Sequence, residues 1–373
     1  MTPAQQDWLA LCLVPGIGGR TVRALLDAFG AVEAILAAPP DEVSRRCGLR
    51  PDLTRAIHNA RDSAALAEEM RLVAEHDVRV LTWDDPGYPA ALRDLHPAPP
   101  LLYCRGELPA GPGLGVVGTR RYSRYGEKAT RGLIADLAGA APDAVIVSGL
   151  ARGIDTIAHQ QALASGLRTV AVVAGGLKGI YPPENRDLAG QIARQGALLT
   201  EFPMTMEPLA RNFPIRNRII AGLSTALLVV EAGEQSGALI TAGFAENYGR
   251  ALCAVPGNLD QPGSAGTNRL IQSGQARLVL TAADLLAALR REAHGPATQL
   301  SWLEPVPRSR GAPGAALEGD KATLVEALRE GSRHPDDLAS AAALPMEKVL
   351  GLLLELELSG DIVQTPDNLF ALP

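Results

Sequence analysis

The distribution of apolar and polar positions divides the chain into three textures. Up to about Asp77 the apolar residues keep helical spacing. Val22, Leu25, Leu26 and Phe29 fall on one face of a helix that follows the Gly-Ile-Gly turn of VPGIGGRT. Helical patterns continue through RPDLTRAIHNARDSAALAEEMRLVAEHDV. From Val78 short apolar runs alternate with glycine-rich turns and amphipathic stretches, the pattern of βαβ units and a mainly parallel sheet. The runs predict strands at 114–117, 144–147, 169–173, 197–199, 226–230, 251–255 and 277–280. A proline-rich leader, WDDPGYPAALRDLHPAPPLLYCRG, precedes them with one further strand near 101–104.

The stretch 291–317 is rich in Pro, Gly, Ala and Ser without a period, and is expected to be a linker. Beyond it, in 318–373, three helix-like pieces and a strand pair turned at 366–368 follow the order of a winged helix. The expected organisation is a helical domain at 1–77, an α/β domain at 78–290, the linker, and the winged helix.

Composition narrows the class. Of 373 residues, 47% are hydrophobic, enough for more than one core. No apolar run is long enough to span a membrane, and the start, MTPAQQDWLA, lacks the basic and small-residue features of a signal peptide, so a cytoplasmic protein is expected. The four cysteines are widely spaced without Cys-x-x-Cys, which argues against a zinc site or a disulfide framework and for reduced thiols. The net charge is −6, unevenly spread: residues 318–373 hold four cations against eleven acids, −7, which leaves +1 for residues 1–317.

The densest chemistry is RNFPIRNRII at 211–220, with Arg211, Arg216, Arg218 and two asparagines around Phe213-Pro214. Guanidinium forks suit phosphate, asparagine adds neutral donors, a helix start adds backbone N–H groups, and Phe213 offers a stacking face to an unpaired base. The alternative is that the arginines pair with Glu201, Glu207 or Glu231 and tie a loop down. Other strand ends add donors to the same sheet edge: Arg120, Arg121 and Ser123 in GTRRYS, Lys178 in AGGLKGIYPPEN, and Ser236, Gly237 and Thr241 in EQSGALIT. The glycine spacings of dinucleotide and P-loop sites are missing. Asp155 and His159, four apart in SGLARGIDTIAH, lack a third metal ligand and are expected to form a structural hydrogen-bonded pair. The Gly-Ile-Gly turn resembles a helix-hairpin-helix unit.

GTRRYS, SGLARGID, AGGLKGIYPPEN, TEFP, FPIRNRIIAGLS, VVEAGEQSGALITA and VPGNLDQPGSAGTNRLI, in this order, resemble the DNA processing protein A (DprA) family over about residues 80–285. The resemblance implies an extended Rossmann-like domain preceded by a small helical, SAM or helix-hairpin-helix-like domain and followed by a winged helix. It also implies a protein that binds and protects single-stranded DNA, forms a homodimer through the Rossmann-like domain, and helps load RecA recombinase in natural transformation and recombination. Carried over by position, the DNA pocket falls on Arg120, Ser123, Lys178, Arg211, Phe213, Arg216, Asn217 and Arg218. The chain departs from the family at Glu184, where many members have a basic residue.

The rival reading is a nucleotide-binding enzyme related to nucleoside monophosphate phosphoribohydrolases, whose signature is Pro-Gly-Gly-x-Gly-Thr-x-x-Glu. Here the matching stretch is EAGEQSGALITAGFAE: the double glycine is lost, and Glu246 lies more than a turn beyond Leu239. No catalytic residues, metal or cofactor are expected, and binding is favoured over catalysis. The acidic winged helix, with Lys348 facing Glu347, Glu355, Glu357, Asp361 and Asp367, is expected to contact another protein rather than duplex DNA.

Overall fold

The computed structural model describes residues 1–95, 97–290, 319–329, 331, 333, 335–359, 362–364 and 369–372. Two compact units divide the chain, Met1–Ala297 and Thr298–Pro373. The expected linker at 291–317 and turn at 366–368 lie outside the described residues.

The first unit begins with helices α1 (Pro3–Cys12), α2 (Gly19–Phe29), α3 (Val32–Ala37), α4 (Pro40–Cys47), α5 (Pro51–His58) and α6 (Ala64–Glu75). Local sequence starts them: Thr2 and Gln5 form a reciprocal capping box on α1, and Ser63 accepts the Leu66 N–H at the start of α6. A nine-stranded sheet follows, built from β1 (Val78–Thr82), β2 (Leu101–Gly106), β3 (Gly113–Val117), β4 (Val145–Ser148), β5 (Arg168–Val172), β6 (Ala197–Thr200), β7 (Ala226–Val229), β8 (Ala251–Ala254) and β9 (Arg277–Leu278). The order across the sheet is β1-β2-β6-β5-β4-β3-β7-β8-β9. β3 to β9 run parallel, while β2 pairs antiparallel with β6 and β1 with β2. Connecting helices are α7 (Ala90–Arg93), α8 (Arg124–Ala140), α9 (Ile154–Ala164), α10 (Arg186–Gln195), α11 (Asn212–Leu223), α12 (Gly237–Asn247), α13 (Ala265–Gln272) and α14 (Ala282–Leu289). Every expected strand is present, with ends shifted by two residues at most, and β1 is added at the sheet edge.

Side chains alternate across a strand, so neighbouring residues feed different cores. Val117, Val145, Val147, Leu227 and Val229 join a cluster with Trp8, Leu25, Ile35 and Leu102, which includes the N-terminal helices. Leu114, Val116, Ile146, Ala226 and Leu228 join a second cluster with Ile134, Ile157 and Leu285 from α8, α9 and α14. A buried carboxylate ties the helical layer to the sheet: Glu69 Oε1 on α6 accepts the Met204 N–H at 2.7 Å, in the loop after β6.

From β3 the chain steps outward through β4, β5 and β6, then returns to place β7 on the other flank of β3. This reversal makes a crevice outside the carboxyl ends of β3 and β7, the place where open parallel sheets bind ligands.

The second unit packs α15 (Asp320–Leu328), α16 (Pro335–Ala342) and α17 (Met346–Ser359) with the antiparallel pair β10 (Val363–Gln364) and β11 (Phe370–Ala371) as a winged helix. Leu324, Leu338, Val349, Leu353 and Phe370 form its core. Among the described residues no helix is long and apolar enough to cross a membrane.

Candidate functional site

A cleft of about 950 Å³ opens at the crevice between β3 and β7. Arg120 and Arg121 enter from the loop after β3, Asp155 from α9, Phe213, Arg216 and Asn217 from α11, and Ser236, Gly237 and Thr241 from the entrance of α12. Eight of the twelve residues nominated from the sequence therefore line one cavity: Arg120, Arg121, Phe213, Arg216, Asn217, Ser236, Gly237 and Thr241.

Its floor is built around Arg216, which is buried. The guanidinium donates to the carbonyl oxygens of Gly149, at 2.5 Å, and Val172, at the ends of β4 and β5, and its Nε donates to Asn217 Oδ1 at 3.1 Å. This close approach explains the glycine of SGLARGID: a Cβ at Gly149 would stand 2.6 Å from the Arg216 guanidinium. Gly153, with φ of +85°, lies against the backbone of Thr119 and Arg120, where a side chain would collide.

Phe213, half-buried on the first turn of α11, carries the aromatic part of the site. The Arg120 guanidinium carbon lies 5.0 Å from the ring centre and that of Arg216 lies 5.8 Å away, both within cation–π range. Tyr181 meets the same ring edge-on, with centroids 6.1 Å apart. Arg120 and Arg121 are exposed, so the cleft offers surface cations beside a buried one.

The other four nominated residues do not line the cleft. Arg218, two positions beyond Arg216 and so on another face of the same helix, is buried; it pairs with Glu201 and donates to the Pro97 carbonyl at 3.0 Å. The alternative of an arginine tying a loop down describes Arg218. Ser123 caps α8, accepting the Gly126 N–H at 3.0 Å and donating to Glu231 Oε2 at 3.1 Å. Lys178 and Arg211 are exposed outside the cavity. Glu184 forms an ion pair with Arg152.

The expected Asp155–His159 pair is corrected by the structure. Asp155 accepts the Gly149 N–H at 3.1 Å, whereas His159, one turn deeper in the helix, meets Thr169 on β5 through Nδ1 at 2.7 Å. Thr169 donates to the Ile146 carbonyl, so the histidine Nδ1 carries the proton in this contact. Burial pushes the Asp155 carboxyl up to about 6 against the pull of Arg216, and burial with the Arg216 charge draws His159 down to about 3. Arg216 falls to about 10 and remains a cation at neutral pH.

Glu231, Tyr181 and Asp155 shape the site without having been nominated for it. Glu231 showed one signal, its place directly after the β7 run. Nothing in spacing marks Tyr181 as a neighbour of Phe213.

Residues 79–290 match the family described as DNA recombination-mediator protein A, and residues 308–368 match the DprA winged helix domain. The chain is similar to Protein Smf of Synechocystis, 34% identical over 389 residues that cover 97% of each chain. It is 40% identical to Protein Smf of Escherichia coli over 291 residues, covering 76% of this chain and 74% of that one. Among solved structures it resembles DNA processing protein A of Streptococcus pneumoniae, with a TM-score of 0.67, 34% identity, and coverage of 75% of this chain and 97% of that one. DNA processing protein A of Helicobacter pylori, whose structure concerns its single-stranded DNA binding mode, matches with a TM-score of 0.50 and 31% identity over 57% of this chain and 95% of that one.

Proposed function

Because the chain belongs to the DNA processing protein A family, we propose that its cleft binds single-stranded DNA and that the protein serves to protect and process incoming strands in natural transformation and recombination. The observation that carries this reading is the ring of Phe213 set between Arg120, Arg216 and Tyr181 at the switch point of the sheet. An aromatic face among guanidinium groups suits unpaired bases on a phosphate chain, because every base has a face to stack and every linkage carries a charge.

Binding rather than catalysis is part of the proposal. Glu231 is buried and engaged by the Ser123 N–H and hydroxyl, where it holds the start of α8. Glu246 sits on the last turn of α12, exposed, and accepts from Gln275 at 3.0 Å. Neither carboxylate is presented to the cleft as the rival glycosidic chemistry would require.

The finer readings are delivery of the bound strand to RecA recombinase, a homodimer, and a cytoplasmic location. The family description, a mediator of recombination, supports the first. Exposed Leu278 and Leu280, on and just after β9, and Leu259, in the loop after β8, supply apolar surface for the second. In the winged helix Lys321 pairs with Glu355 at 2.6 Å and Lys348 with Asp320, so these cations are engaged within the unit. This favours a protein contact over duplex DNA there, and crosslinking of duplex DNA to residues 346–359 would contradict it.

The test is binding of fluorescent oligothymidine and an equal-length duplex to the full chain and to an Arg120→Ala, Phe213→Ala variant. Salt-sensitive preference for the single strand, lost in the variant, is the expected result. Absence of binding at low salt would reject it and point to nucleoside monophosphates.

A further inference from the structure

Beyond the cleft the loop from β3 enters α8 as RRYSRYGEK, and residues 121–125 are exposed. Ser123 is pinned through its N–H at 2.9 Å and its hydroxyl at 3.1 Å to the buried Glu231 carboxylate, which fixes the loop. Its flanking residues face solvent: Tyr122 is 45% exposed and Tyr125 51% exposed, large aromatic surfaces that an ordinary globular domain covers. Tyr125 is held by its hydroxyl, which donates to the Pro256 carbonyl at 2.6 Å, so the ring is fixed with half its surface open. Arg121, Arg124 and Lys128 are exposed around these rings, with Arg124 and Lys128 four residues apart on one face of α8.

The nearby acids are already engaged. Glu127 pairs with Arg131 at 3.0 Å, Glu234 with Arg269 at 3.1 Å, and Glu231 serves Ser123. Among the described residues no ion pair engages Arg121, Arg124 or Lys128. The patch is continuous with the cleft, since Arg120 and Arg121 line the cavity and Tyr122 follows directly.

We propose that this lip is a second subsite, a track on which the strand leaving the Phe213 cleft stacks a base on Tyr122 while Arg124 and Lys128 hold its phosphates. The inference rests on the single-strand reading of the cleft and adds to it the direction in which the strand extends. Alternating open aromatic rings and uncompensated cations are what a sequence-tolerant single-strand surface uses, whereas an acidic protein segment would have no need of the rings.

Oligothymidines of about four and about sixteen nucleotides, the span of site sizes among single-strand binders, separate the two subsites. Binding of each to the full chain, to Tyr122→Ala and to Arg124→Ala, Lys128→Ala would be measured across a salt series. The short oligomer should bind all three proteins alike. The long one should bind Tyr122→Ala about tenfold more weakly, as for loss of one stacked base, and Tyr122→Phe should restore it. With the double variant the salt slope for the long oligomer should shrink by about 0.7 per lost contact. Unchanged long-oligomer binding, or equal loss at both lengths, would overturn the track while leaving the cleft reading in place. Failure of the unaltered chain to bind either length would remove the single-strand reading, and the track with it.

Discussion

Arg120 stands over the face of Phe213, 5.0 Å from guanidinium carbon to ring centre. The aromatic surface that a base would use is thus covered by an exposed cation. For stacking, Arg120 must swing off the ring, and its charge then lies beside the phosphate chain. Phe213→Ala should weaken oligothymidine binding by about 1–3 kcal/mol, with little change in thermal unfolding because the ring is only half-buried. Arg120→Ala should lower the salt slope by about 0.7. Equal affinity in Phe213→Ala would take the ring out of the site.

Arg216 behaves differently, since its guanidinium holds the carbonyl ends of β4 and β5 and faces Asp155. Arg216→Ala should cost about 3–5 kcal/mol of stability, the scale for breaking a buried ionic arrangement. Urea unfolding checks this. A variant of wild-type stability that has lost only DNA binding would reassign the residue to direct contact.

Arg218 and Glu201 form a buried pair in which, among the described residues, Arg218 Nε and Glu201 Oε1 find no hydrogen-bond partner. Arg218→Ala should destabilise by about 3–5 kcal/mol, whereas Arg218→Met combined with Glu201→Leu should come within about 1 kcal/mol of wild type or exceed it. The folded fraction of either should keep its affinity for single strands. A fall in affinity at full folding would contradict the placement of Arg218 outside the cleft.

Affinity should also rise as pH falls through about 6. Asp155 titrates there, raised from an ordinary 3.8, while His159, near 3, stays neutral across the window. Above pH 6 the carboxylate offsets Arg216 and Arg120; below it the cleft gains positive potential for phosphate. For stability the carboxyl's own contribution has the same sign, but buried neutral His159 opposes it, its contribution being lost as pH falls from 6.5 toward 3. The raised carboxyl contributes fully below about pH 4 and loses that contribution as pH rises through 6. Oligothymidine titrations from pH 5 to 8, with Asp155→Asn as the pH-independent comparison, check this, and a flat wild-type profile would refute it.

The sheet was legible because its strands are short continuous apolar runs separated by glycine turns, and both faces of the sheet are covered. β1 escaped notice because it sits at the antiparallel edge, beside a proline-rich leader. The convergence of Arg120, Phe213 and Ser236 was legible from their shared place at carboxyl ends of strands. The division of labour among the arginines was not. Arg216 and Arg218 differ by about 200° around one helix, and only packing decides which face meets the cleft. One sign was available: with apolar Ile215, Ile219 and Ile220 distributed around the arginines, the helix has no solvent-facing stripe, and a helix of that kind is buried.

The carboxylate of Glu69 crosses from α6 to the amide of Met204, and Met204 lies in the loop that leads into α11 and so to Phe213. A helix with no residue in the cleft thereby anchors the loop that precedes the cleft's aromatic. Trimming the chain to begin at its first strand would keep every residue that lines the cleft and lose the buried contact that holds the loop leading to its aromatic.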